Sequence, residues 1–151
     1  MKAMTTFLAF LHHLFAFTLV ACIAVEFTLI RQELTLANAR RLIATDFVLG
    51  VSAALLLIVG LLRVFYFEKG ADYYLTSHAF LTKLGIFVGV VIVSVTPTVE
   101  FLSWRKAVRA GQVPAVEART MKKLTAFIHF EMAAIVVILL CAAIMARGGW
   151  V

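Results

Sequence analysis

The chain has 151 residues, 64% hydrophobic and 15% charged, with a formal net charge of +6. A soluble domain carries about 45–50% apolar and about 25% charged residues, so composition excludes a soluble globular enzyme, a disordered chain and a disulfide scaffold. What remains is a small integral membrane protein, with residues 1–151 forming a single membrane domain.

A helix rises about 1.5 Å per residue, so about 20 apolar residues cross the hydrocarbon core. The first run, 7–30, carries no charge until Glu26. Within it, Leu19-Val20-Ala21-Cys22 resembles a lipoprotein cleavage site, but the apolar run continues to Ile30 and predicts a spanning helix. The second run, 42–65, has Asp46 near its start. The third, 77–102, is interrupted by Lys83, Pro97 and Glu100, and the fourth, 124–146, holds His129 and Glu131 in its first half. All four runs are continuous rather than alternating, which fits helices and not barrel strands. The connections are short, with a break expected at Gly70 and others at Gly111 and Pro114. An all-α, up-down bundle of four transmembrane helices follows.

Basic residues cluster in the first and third connections: Arg31, Arg40, Arg41, Arg105, Lys106, Arg109, Arg119, Lys122 and Lys123. The other side carries Lys2, Arg63, Lys69 and Arg147. The positive-inside rule then places both loops in the cytoplasm and both termini on the outer side of a bacterial inner membrane. The same asymmetry explains the net charge without a nucleic-acid partner. Trp104, Trp150, Tyr73 and Tyr74 lie at span ends, where aromatic rings anchor to headgroups. Cys22 and Cys141 sit in apolar runs without metal-site spacing and read as buried thiols.

Ionisable groups inside hydrocarbon cost about 2.5–3.5 kcal/mol each near the centre, yet this chain keeps several, in two layers. The outer layer holds His12, His13, Arg63, His78 and Lys83; the inner layer holds Glu26, Asp46, Glu100, His129 and Glu131. His12 and Glu26 lie about 10 Å either side of the middle of the first span, within about 40° of one face. The stripe His12, Phe15, Leu19, Cys22, Glu26 is therefore expected to face the bundle interior, while His13 points elsewhere. Imidazoles suit haem iron and other transition metals, and Arg and Lys suit propionates. A haem b between spans one and three would use His12 or His13 as axial ligand, His78 as the second, and Arg63 and Lys83 for its carboxylates. The inner residues suit a cation or proton path, or ion pairs with Arg41, Arg105, Lys122 or Lys123. Ser94 and Thr96 compensate the carbonyl freed by Pro97. Gly50, Gly60, Gly85 and Gly89 permit close helix approach, the last two as a GxxxG pattern.

The stretches His12-His13-Leu14, 46–63, 74–83, 94–105 and Met145-Ala146-Arg147-Gly148 resemble a bacterial family of predicted four-helix membrane proteins, with the pattern SVTPTVEFLSWR at 94–105 fairly distinctive. The layout is also similar to the HemJ-type protoporphyrinogen oxidases and, more loosely, to the membrane domain of copper-resistance D proteins. The HemJ-type likeness rests on His12 or His13 early in span one. Its second element is Phe80-Leu81-Thr82-Lys83 early in span three, one residue longer than the HemJ-type element. It implies a haem b protein acting in electron transfer or quinone-linked porphyrin oxidation. Two other readings stand beside it: a cation, proton or metal transport protein, probed at Glu26, His129 and Glu131, and an assembly partner or homo-oligomer without chemistry of its own.

Overall fold

In the computed structural model, residues 2–67 and 76–147 are described. The helices are α1 (Lys2–Leu29), α2 (Leu36–Leu62), α3 (His78–Ser103), the short α4 (Arg105–Arg109) and α5 (Ala118–Ala146). A π-helical turn, Arg63–Phe67, extends α2. Four of these helical stretches are 28 to 32 residues long and apolar enough to cross a membrane. Each is about 42 Å or longer, well over the ~30 Å hydrocarbon core.

Helix α2 starts well before its apolar run because its polar end is capped. Thr35 accepts the Asn38 N–H, so α2 already includes Arg40 and Arg41, which the sequence reading places in a loop. Ser77 caps α3 by accepting the Phe80 N–H. After α4, Gly111 adopts φ 72°. The N–H of Gly111 reaches Val108 O and that of Gln112 reaches Ala107 O, a Schellman stop that glycine makes without a Cβ penalty. The expected break at Gly70 and the anchors Tyr73, Tyr74 and Trp150 lie outside the described residues.

The four long helices form a ring. Helix α1 packs on α2 and α5, and α3 packs on α2 and α5, while α1 and α3 stand on the diagonal. Phe17, Phe47, Ile58, Ile92, Val136 and Leu140 are exposed on the outside of this ring, as lipid-facing side chains must be. The interior repeats the pattern expected for α1: Leu19, Cys22 and Glu26 are buried and His12 and Phe15 are half-buried.

Two apolar layers fill the ring. At the basic-loop end, Leu29, Ile30, Leu42, Phe101, Leu124 and Ile128 pack with Trp104. Mid-bundle, Leu19, Cys22, Ile23, Leu49 and Ile135 pack together, flanked by Phe87 and Met132. Trp104 corrects the sequence reading. It is no headgroup anchor but 3% exposed, edge-on to Phe101 at 4.9 Å, with its indole N–H donated to Glu100 Oε1 at 3.0 Å. A buried indole needs such an acceptor, and Glu100 supplies it one turn away. The GxxxG pair also behaves differently: a Cβ at Gly50, Gly85 or Gly89 would meet nothing within 4 Å. These glycines bring no helices together within the chain.

Candidate functional site

At the end of the bundle that carries the termini, the ring opens into a cavity of about 390 Å³ lined by all four long helices and the π-turn. Its walls are mostly apolar, including Leu57, Phe87, Ile138 and Met145. The polar groups on it are His12, His13, Arg63 and Lys83. The sequence reading puts a haem between spans one and three, but α1 and α3 are not neighbours, and what touches both is this central space.

Each polar group arrives by a local cause. His12 lies on the inward stripe of α1 and packs on Gly60 of α2, where an added Cβ would stand 3.4 Å from its Cε1. Gly60 is therefore the glycine that makes room for a functional candidate. The π-turn carries Arg63 and Val64 onto the cavity wall; such turns recur at functional sites because the extra residue re-aims side chains. Lys83 stands with its Nζ 5.5 Å from the Phe80 ring centroid and within charge–charge range of Arg63. His13 is exposed at the cavity edge, and its Nδ1–H donates to Ala9 O at 2.7 Å. His78 is exposed at the first turn of α3 and does not line the cavity.

The inner layer is tighter. Glu26 of α1, Asp46 of α2 and Glu131 of α5 are 1%, 5% and 0% exposed, and Glu26 lies within charge–charge range of the other two. Helix α3 contributes hydroxyls: Thr98 donates to Asp46 Oδ1 at 2.8 Å, and Ser94 Oγ lies 2.6 Å from Glu131 Oε1. Two of the five expected members are elsewhere. Glu100 serves Trp104. His129 is exposed, its ring tilted 56° against that of Phe27 with centroids 4.6 Å apart, and its Nδ1–H is donated to Thr125 O. Arg41, Arg105, Lys122 and Lys123 are all exposed, and among the described residues no ion pair joins them to the buried acids. No group of three or more His, Cys, Asp or Glu among the described residues is gathered closely enough to hold a metal ion.

Sequence reasoning missed Gly60, Met145, Ser94 and Thr98 as site residues. The last two carried a signal: hydroxyls four apart share one helix face, in a span with no deep acid of its own. The sequence places Ser94 beside Pro97 as a compensating hydroxyl, but its Oγ lies 2.8 Å from Val90 O and reaches Glu131.

No curated protein and no solved structure matches this chain. The likeness to HemJ-type oxidases and copper-resistance D domains thus finds no support there. Residues 4–149, nearly the whole chain, match one family, and the protein belongs to it: the predicted membrane proteins of DUF2214.

Proposed function

We propose that the protein binds a flat, apolar, anionic ligand in its outer cavity, with haem b or a porphyrin as the ligand class. The observation that carries this is the lining: apolar walls, imidazole, two cations and, among the described residues, no carboxylate. Two cations on the wall of a low-dielectric space favour an anionic group in it. A volume of about 390 Å³ lies within the usual range of ligand pockets, about 300–1,000 Å³. The donor set fits the group: His12 would ligate iron, and Arg63 and Lys83 would hold propionates. His78 does not line the cavity, so in this reading His12 is the imidazole ligand from the interior, with His13 at the cavity edge. Haem, when bound, supplies one-electron chemistry, and exchange with a membrane quinone or porphyrinogen is the role this reading gives the protein. The chain's own contribution is to seat the ligand, exclude water with Leu57, Phe87 and Ile138, and hold positive charge at the carboxylates.

The test is an absorbance spectrum of protein purified from haem-supplied cells, with protoporphyrin fluorescence on the same preparation. A Soret band that shifts or vanishes in His12→Ala, and weakens in Arg63→Gln/Lys83→Gln, is the expected result. A folded protein that takes up neither haem nor protoporphyrin removes the reading.

A further inference from the structure

The three buried acids lie outside that cavity and play no part in ligand seating. They lie between the two apolar layers, so water is excluded from both sides. An ionised carboxylate in such a place is very costly without a partner. Thr98 serves Asp46 and Ser94 serves Glu131 through one oxygen. Glu131 Oε2 and Glu26 Oε1 are buried and have no hydrogen-bond partner among the described residues. Orphan oxygens of that kind, on side chains 99% or more buried, are rare in folded interiors, and a proton or ion on them accounts for them.

The surroundings can be taken helix by helix. Helix α1 offers Cys22 beside Glu26. Helix α2 offers Asp46, α3 offers the neutral Ser94 and Thr98, and α5 offers Glu131. Glu100 and His129 are committed to Trp104 and to Thr125. Among these groups no cation balances three carboxylates.

Hydroxyl arithmetic supplies an independent constraint. Ser94 Oγ lies within hydrogen-bond distance of two acceptors, Val90 O at 2.8 Å and Glu131 Oε1 at 2.6 Å. A serine hydroxyl has one proton to give. If Ser94 gives it to Val90 O, the proton between Ser94 and Glu131 belongs to Glu131.

From these observations we infer that Glu26, Asp46 and Glu131 form a buried proton-binding site, in which Ser94 reads the state of Glu131. With the proton on Glu131, its O–H donates to Ser94 Oγ, and the Ser94 hydroxyl donates to Val90 O. When that proton passes to Asp46, the least enclosed of the three acids at 5% exposed, and from there to water beyond the apolar layers, the Ser94 hydroxyl rotates and donates to the Glu131 carboxylate. No bond other than O–H forms or breaks, and nothing is oxidised or reduced. The site is independent of the cavity's ligand, so either can fail without the other.

The test uses dicyclohexylcarbodiimide, an apolar reagent that attaches to protonated carboxyls in membrane interiors, on the full-length wild-type protein in liposomes, mapped by peptide mass. An adduct on Glu26 or Glu131 that grows several-fold as pH falls, and is unaffected by sodium, is expected. The infrared carboxylic-acid band of the same protein should shift in deuterium oxide and lose intensity in Glu26→Gln and Glu131→Gln. A folded protein with neither adduct nor band overturns the inference. So does an adduct suppressed by sodium, because the orphan oxygens would then hold a metal cation and not a proton. If a glutamine variant fails to fold, the wild-type labelling and infrared band decide alone.

Discussion

The two ends of the bundle use the same interior stripes for opposite purposes. His12 and Glu26 are fourteen residues apart on α1, as are Gly60 and Asp46 on α2 and Met145 and Glu131 on α5. That spacing is about 21 Å and nearly a whole number of turns, so each helix presents both levels to the centre. At one level the ring is open, basic and lined by space; at the other it is closed, acidic and filled. The difference lies in the small residues and the capping groups. At the outer level Gly60 leaves His12 room and the π-turn brings Arg63 and Val64 to the cavity wall, whereas Phe101, Leu124 and Ile128 close the layer beside the acids.

Five substitutions test this contrast. The largest effect is expected from Phe101→Ala, which empties the closed end. Large-to-small changes of this kind cost about 3–5 kcal/mol, while Leu57→Ala on the cavity wall, already facing space, should cost well under half as much. Unfolding titrations in mixed micelles would show the ratio, and equal losses would mean the two ends are packed alike. Next, Gly60→Val pushes on His12 while the adjoining cavity absorbs the added bulk. Porphyrin affinity should fall about tenfold, or ~1.4 kcal/mol, with a smaller change in stability. Thr98→Val removes the hydroxyl held by Asp46, and hydrogen bonds between membrane helices average about 0.6 kcal/mol. A loss of that order is expected, measured in the same titrations. The smallest effect is expected from Gly89→Ala: a Cβ there meets nothing, so stability should stay within about 0.5 kcal/mol. A marked change in assembly state would instead give that open face a partner.

Much of the fold was legible because hydrocarbon imposes a simple rule. Four long apolar runs separated by basic and acidic residues have few arrangements open to them, and the inward stripe of α1 followed from the spacing of His12 and Glu26. The site was legible in its levels but not in its membership. Depth can be counted along a helix, whereas rotation decides neighbours, and small errors in rotation send His129 outward and Ser94 inward. Trp104 illustrates the same limit: a tryptophan at a span end reads as an interfacial anchor until its neighbour Glu100 is seen to accept its N–H. The π-turn was equally hidden, since Arg63–Phe67 has no proline or glycine to announce a change of helical pitch.

The layer of Leu19, Leu49, Ile135 and Phe87 separates the two levels, and it bears on how the protein would experience an energised membrane. A transmembrane voltage falls mainly across dry, apolar material, at about 2.3 kcal/mol per unit charge for each 100 mV. This stack is therefore an insulator between the cavity and the three buried acids, and a membrane voltage would drop mainly across it.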